Sequence, residues 1–455
     1  MERKILNGSI KNLHFVGVGG VSTSALATYA LNRNFNVSGS DVTKNTYVDA
    51  LVKKGAKITL YHDKSNVEGA DALVVTSAVG EDNPEVSTAR LKGIPVFERA
   101  KLLGEIVGGY KNSVAVSGSH GKTTATAMLS SVLIKAGLDP TVFLGGEYSD
   151  FGNFRDGKSE YAVLEACEYK RNMLYIKPRI AVVLNVDDDH LDTYGTLNNE
   201  ISAFREFASG RIAVINADDE NSKTLFNSST VTFGIDNLAT YSAKNLKYNG
   251  SGYTFTACAY SRRLERINLK VMGIHNVYNA LATIAVADVL GINIKTLKTA
   301  LESFRGVKRR SECLGAIKGV TCYADYAHHP SEIKATISAF KESGINPLVV
   351  FQPHTYSRTK MLMKDFILSL KDERGLIVYK TYPAREKYDI LGDAKTLCEN
   401  LNSNGANCIY ADSEESLFDS IDKNINGKDA VLVLGAGNIY DVFANNIKLK
   451  EKDDR

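Results

Sequence analysis

Short apolar runs alternate with stretches of helical spacing along most of this chain. In the first third, residues 13–18, 37–40, 72–76 and 94–97 read as strands, and residues 22–33, 47–54 and 84–92 read as helices. Strand–helix alternation predicts a parallel sheet with helices on its faces. This segment is expected to close at Gly108-Gly109, a pair suited to a linker. A second unit opens with a strand at 113–116 and a helix at 125–136. It continues through strands at 161–164, 180–185 and 211–216 and ends in an antiparallel-looking stretch and two helices. Asn249-Gly250 ahead of Tyr253-Thr254-Phe255-Thr256 marks a hairpin, and 276–290 has the length and spacing of a helix. Alternation resumes at 320–323, 331–340, 348–351, 376–379 and 430–434. The pattern predicts an α/β protein of three domains, 1–108, 109–305 and 306–455, with a charged tail at 448–455 that frays.

Length agrees, since 455 residues at about 100–200 per domain hold two to four cores. A formal charge of +3 gives no general support for nucleic-acid binding, which leaves small-molecule chemistry as the default. The six cysteines form no C-x-x-C pair, so neither a zinc site nor a disulfide framework is expected. No apolar run reaches the roughly 18 residues of a membrane span, and the first residues carry no leader pattern. A cytoplasmic protein without membrane insertion is the expectation.

The densest chemistry lies at Gly118-Ser119-His120-Gly121-Lys122-Thr123-Thr124, between a strand and a helix. Glycines there let backbone N–H groups turn inward onto phosphate oxygens, and the helix aims its positive end at the same place. Lys122 would reach the terminal phosphates, and the Thr123 hydroxyl would sit on magnesium. The spacing is shorter than the general form, because position 116 is Val where the first glycine belongs. The bland alternative is a glycine turn entering a helix beside a solvated lysine.

Other candidates stand at strand ends. Phe15-Val16-Gly17-Val18-Gly19-Gly20 ends the first strand and opens a helix, where a diphosphate binds an α/β sheet, and Asp41 closes the next strand, where a carboxylate can meet a ribose. A tight turn plus a loop aspartate accounts for the pair equally well, and a dinucleotide-dependent oxidoreductase stays open on this feature. Glu165 and His190 follow strands whose carboxyl ends share an edge with the phosphate loop. With Thr123 they could converge on Mg²⁺, which favours hard oxygens. Read alone, Asp187-Asp188-Asp189 is a solvated turn and His190 a locally satisfied histidine. Asn276 and Asn279, three apart at a helix start, share a face, and their amides could read a purine edge or cap the helix. Arg309-Arg310, Asp325-Tyr326-Ala327-His328-His329-Pro330 and the run from Phe351 through His354 and Arg358 to Thr359 offer histidines and guanidinium groups for an anionic substrate.

Taken in order, these motifs resemble the Mur ligase family over almost the whole chain. The resemblance also rests on Thr76-Ser77-Ala78-Val79 with Asp82-Asn83-Pro84-Glu85, Gly145-Gly146-Glu147, Glu165-Ala166-Cys167-Glu168-Tyr169, Asp189-His190-Leu191-Asp192, Tyr382-Pro383-Ala384-Arg385-Glu386 and Gly435-Ala436-Gly437. The short phosphate loop is the family's own form. Departures are Ser22-Thr23-Ser24-Ala25 after the glycine loop, Thr355 and Asn438.

The resemblance implies a Rossmann-like N-terminal domain for a UDP-sugar, a central P-loop ATPase domain and a Rossmann-like C-terminal domain for an amino acid. It implies ATP- and Mg²⁺-dependent joining of L-alanine to the carboxylate of UDP-N-acetylmuramate through an acyl phosphate, in cytoplasmic peptidoglycan precursor synthesis, by a monomer or homodimer. A relative that recycles a murein tripeptide would share the central site and differ in its amine. By the same resemblance, Gly17, Gly19, Gly20, Asp41 and Ser77 surround the UDP-sugar. Gly118, Ser119, His120, Gly121, Lys122, Thr123 and Thr124 hold the phosphates, and Thr123, Glu165 and His190 hold Mg²⁺. Asn276 and Asn279 face adenine, Arg310 and Asp325 reach ATP, and His328, His354 and Arg358 attend the carboxylates, with one histidine as base.

Overall fold

The computed structural model describes residues 5–453 apart from 7, 189, 190, 228 and 385, with backbone alone at 191, 192 and 448–453. The chain forms two compact units. The first holds the residues up to Lys247 with Thr254–Leu269 and His275–Phe304; the second holds Tyr248–Tyr253, Lys270–Ile274 and the residues from Arg305 onward.

The first unit carries two sheets. Strands β1 Asn12–Val16, β2 Asn36–Ser40, β3 Lys57–Thr59, β4 Ala72–Val75 and β5 Val96–Glu98 pair in parallel in the order β3-β2-β1-β4-β5. The order reverses between β1 and β4, so the loops after these strands open the crevice where doubly wound sheets bind ligands. Close approach explains the small residues there: a Cβ on Gly17 would stand 2.6 Å from Thr76, and one on Gly39 2.8 Å from the Phe15 carbonyl.

Beneath this crevice lies a buried polar knot. The Glu85 carboxylate accepts from the Ser40 hydroxyl at 2.6 Å and the Asn66 amide at 2.6 Å, with His62 at 3.4 Å and His14 at 3.6 Å. Burial alone would raise its pKa, but contact with His14, Asn66 and Ser40 outweighs that and holds it at about 2 against an ordinary 4.5. A depressed carboxylate stabilises the fold above its unfolded pKa and loses that contribution as pH falls through the folded one. We predict that Glu85→Gln lowers stability at neutral pH by roughly 3 kcal/mol. Unfolding midpoints of the two proteins should converge as pH drops from about 4.5 towards about 2; parallel curves would refute the account.

The second sheet holds β6 Asn112–Ser117, β7 Thr141–Tyr148, β8 Gly152–Arg155, β9 Tyr161–Glu165, β10 Ile180–Val183, β11 Ile212–Asn216, β12 Thr230–Gly234, β13 Tyr241–Tyr248, β14 Tyr253–Ala259 and β15 Arg262–Asn268. Their order is β15-β14-β13-β12-β11-β10-β6-β9-β7-β8. Strand β6 runs parallel to β9 on one side and β10 on the other, and the β14–β15 pair is antiparallel. The loops after β6, β9 and β10 therefore share one edge.

The last helix of the first sheet ends at Gly108-Gly109. The helix Arg99–Val107 closes there through bonds from Gly108 N–H to the Gly104 carbonyl and Gly109 N–H to the Ile106 carbonyl, and β6 follows directly. Phe15, Leu102 and Leu103 share one buried cluster with Phe143, Leu164 and Phe204, so the two sheets have a continuous core.

In the second unit, β16 Glu312–Ile317, β17 Val320–Asp325, β18 Pro347–Phe351, β19 Leu376–Tyr379, β20 Cys408–Ala411 and β21 Ala430–Leu434 pair in the order β16-β17-β21-β18-β19-β20. Only the β16–β17 contact is antiparallel. Strand alternation fills two cores: Val349 and Phe351 join Phe340 and Phe366 on one face, while Leu348 and Val350 join Leu417 and Phe443 on the other. Two features here lay outside the sequence reading. Cys398 and Cys408 form a disulfide with Cα atoms 5.6 Å apart, because the helix Ala394–Ser403 folds back against β20, a contact that sequence spacing does not announce. The charged tail does not fray at 448, since the helix Ile439–Asp453 runs through it. Among the described residues no helix is long and apolar enough to cross a membrane.

Candidate active site

The phosphate loop is shaped by two glycines in left-handed backbone, Gly118 with φ +140° and Gly121 with φ +84°. Side chains rarely adopt these angles. Space is tight as well: a Cβ on Gly118 would stand 3.2 Å from Asn185 backbone atoms, and one on Gly121 3.0 Å from the Asn279 carboxamide. Gly121 precedes the helix Lys122–Lys135, which has no side-chain cap, so its first N–H groups aim at the space over the loop.

Asn185 splints the loop from the end of β10. Its carboxamide accepts from His120 N–H at 2.8 Å and donates to the His120 carbonyl at 3.2 Å, and its own carbonyl accepts from Ser119 N–H. His120 also faces Asp187 at 3.2 Å, and that hydrogen bond holds the Asp187 carboxyl below its usual range. The Lys122 ammonium donates to the carbonyls of Gly118 and Ser119 and to the buried Glu168 carboxylate at 2.9 Å. Burial opposes the charge, but Glu168, with Cys167 and Glu165 behind it, more than compensates and keeps Lys122 above the ordinary lysine value.

Glu165, at the end of β9, accepts from the Thr123 hydroxyl at 3.0 Å and from Gly145 N–H. The structure thus brings two of the three expected magnesium ligands together; His190 lies outside the described residues. Among the described residues no group of three His, Cys, Asp or Glu forms a metal cluster. Asn279 donates to Asn276 at 2.9 Å, which sets the two amides side by side on the helix His275–Val289 next to Gly121. Thr124 is buried in the first turn of the loop helix.

At the first sheet, Gly17 and Val18 N–H groups donate to the Ser40 carbonyl, and Gly19 N–H donates to Asp41 at 2.9 Å. Asp41 also accepts from the N–H groups of Val42 and Thr43, so its carboxylate clamps the glycine loop. Ser77 follows β4 on the opposite lip. Its hydroxyl takes a bond from Asn172 at 3.2 Å and its carbonyl one from Lys170 at 2.8 Å, and Gly20 leads into the helix Val21–Asn32.

The second unit carries its candidates ahead of β16 and at the carboxyl ends of β17 and β18. Asp325, the last residue of β17, accepts from Ser311 N–H at 2.7 Å and Ala327 N–H at 2.9 Å, and burial raises its pKa against the pull of Arg310. Arg309 and Arg310 each lie 5.4 Å from the Tyr326 ring centre. His328 and His354 stand 5.9 Å apart between ring centres, and Arg358 donates to His354 at 3.2 Å. Thr355, between them, has φ +68° with ψ 143°, a strained conformation for a β-branched residue. Glu332 enters this cluster without having been singled out, although an acidic residue four positions after His328 in a first helical turn is a signal the sequence carries.

Three family descriptions match along the chain, one for each sheet: "Mur ligase family, catalytic domain" at 12–111, "Mur ligase middle domain" at 116–287 and "Mur ligase, glutamate ligase domain" at 309–437. The UDP-N-acetylmuramate–L-alanine ligase of Acetivibrio thermocellus is 42% identical over 97% of this chain and 96% of its own length.

The chain belongs to the Mur ligase family.

The enzyme of the same name from Aquifex aeolicus is 40% identical over 96% of this chain and 97% of its own. A crystal structure of the UDP-N-acetylmuramate-alanine ligase MurC from Thermotoga maritima matches with a TM-score of 0.81 and 29% identity, covering 98% and 100% of the two chains. A murein peptide ligase from Psychrobacter arcticus shares the fold with a TM-score of 0.72 at 22% identity, over 96% of this chain and 98% of its own. Family membership gives the three sheets their meaning: Rossmann-like N- and C-terminal domains flank a central ATPase domain. It also displaces the oxidoreductase that the glycine loop alone left open.

Proposed function

We propose that this Mur ligase joins L-alanine to the lactyl carboxylate of UDP-N-acetylmuramate, with ATP cleaved to ADP and phosphate, in cytoplasmic peptidoglycan precursor synthesis. Membership makes it an ATP-dependent acid–amino-acid ligase. Alanine as the amine is supported by relatives of that name that match nearly end to end. The observation that carries the chemistry is Lys122, held charged beside Glu168 at the mouth of a loop whose glycines take left-handed backbone in tight space.

A carboxylate is a poor electrophile, so it is first phosphorylated. Its oxygen attacks the γ-phosphorus of ATP, which gives an acyl phosphate and ADP. Little covalent help is needed in this step, and positioning with charge neutralisation dominates. Lys122 and the amides of residues 118–124 are assigned to the phosphates, and Asn276 with Asn279 to the base. The hard oxygens of Thr123 and Glu165 suit magnesium, and with His190 they would hold it. Bound there, the ion would neutralise phosphate charge. The glycine loop and Ser77 are assigned to the UDP-sugar; Asp41 serves it through Gly19, whose N–H it fixes. The domains 1–108, 109–305 and 306–455 are assigned to sugar nucleotide, ATP and amino acid. Arg310 and Asp325 are assigned to ATP, and His328, His354 and Arg358 to the alanine and muramyl carboxylates.

The test is phosphate release from ATP and Mg²⁺ with UDP-N-acetylmuramate, with and without L-alanine, followed by mass analysis of the sugar nucleotide. Release that needs both substrates, with product heavier by one alanyl residue, is expected. Turnover with a murein tripeptide in place of alanine would move the protein to the recycling branch.

A further inference from the structure

We infer that His328, and not His354, takes the proton from the attacking amine, and that Glu332 is the positioning residue that fits it for this; the inference rests on the ligase reading above. The two rings are neighbours, yet their hydrogen-bond partners fix opposite tautomers. His328 Nδ1 lies 3.0 Å from the Tyr326 carbonyl oxygen and 3.2 Å from Glu332 Oε2. A carbonyl and an ionised carboxylate only accept, so Nδ1 carries the hydrogen and Nε2 keeps its lone pair. His354 Nδ1 faces Arg358 Nη1 at 3.2 Å, and a guanidinium only donates. Its lone pair is therefore spent on Arg358 and its Nε2 carries the hydrogen, so His354 can donate to a carboxylate but has no free nitrogen for a proton. Stacking on Tyr382, with ring centres 5.5 Å apart, fixes that orientation.

The charges around the pair agree with this division. Burial lowers the His328 pKa, Glu332 opposes the fall, and Arg358 and Arg310 add to it, so the ring is neutral near pH 7. Burial, then His328 and Arg358, take His354 down to about 4, with Glu386 opposing. Glu332 itself sits at about 2: burial works against its charge, and His328, two backbone N–H groups and Arg310 hold it ionised.

In the step assigned to His328, the nitrogen lone pair of neutral alanine attacks the acyl carbon, and the carbonyl π pair moves onto oxygen. As the C–N bond forms, the nitrogen becomes cationic and its protons become far more acidic; Nε2 accepts one. The oxyanion then re-forms the carbonyl, the C–O bond to phosphate breaks, and phosphate leaves with the electron pair. The imidazolium returns its proton to water.

Glu332 also has a purely structural duty. It accepts from the N–H groups of His328 and His329 and completes the capping box of the helix Pro330–Glu342. Glu332→Gln separates the two duties, because a glutamine oxygen still caps but carries no charge. On the full-length enzyme at saturating substrates, the acid limb of the kcat–pH profile should move to lower pH in Glu332→Gln, with a lower plateau and little change in KM for alanine. His328→Ala should lose about 10²–10⁴ in kcat, while the acyl phosphate, trapped with hydroxylamine, still forms. His354→Ala should leave the acid limb in place. A Glu332→Gln limb that does not move, or a limb that vanishes with His354 and persists without His328, would overturn the inference. A wild-type enzyme that turns over with no amine would instead overturn the ligase reading.

Discussion

Lys122→Ala should cut ADP formation by at least about 10³-fold while leaving UDP-sugar binding nearly intact. The ammonium has no substitute in the loop: its three partners are two carbonyls and a carboxylate, none of which can neutralise a phosphate. Binding of the sugar nucleotide should survive, because its candidate residues lie on a different sheet of the first unit. Stability should suffer as well, since Glu168 loses the cation it is buried against, a change worth about 3–5 kcal/mol in comparable pairs. A thermal unfolding curve at the assay temperature therefore has to accompany the kinetics. A folded variant with substantial residual turnover would remove Lys122 from the phosphates.

The second large effect is expected at Glu165. Glutamine there can still accept from Gly145 N–H, so the turn at the end of β9 should hold. What it removes is the negative charge beside the Thr123 hydroxyl. The Mg²⁺ concentration that supports half-maximal activity at saturating ATP should rise by at least about 10–100-fold. An unchanged magnesium midpoint would take Glu165 out of the ion's coordination.

The architecture was largely legible because strand–helix alternation is a strong periodic signal. The strands at 376–379 and 430–434 and the helix that follows the phosphate loop are found where the pattern placed them. Failures occurred where long-range contact overrides local chemistry. Cys398 and Cys408 meet only because a helix folds back onto a strand. In the site, motif residues were legible and their partners were not. Asn185 and Glu332 are ordinary polar residues in sequence, and only the fold sets them against His120 and His328; Glu168 stood in a motif, but its bond to Lys122 did not show there. Asp41 was legible as a loop carboxylate, but its hold on Gly19 N–H depends on how closely β2 and the glycine loop approach.

The helix Arg99–Val107 leaves no room at Gly104, where an added Cβ would stand 2.1 Å from the Tyr175 carbonyl oxygen. Lys170 and Asn172, from the same short segment as Tyr175, bond to Ser77, and Lys170 and Arg171 take left-handed backbone angles between them. The seam between the first two sheets is thus a matched surface. A chimera that takes its N-terminal sheet from one relative and its central sheet from another should fold only if glycine is kept at 104 and the 168–175 segment travels with the parent that shaped it, so recombination breakpoints compatible with folding should avoid this seam.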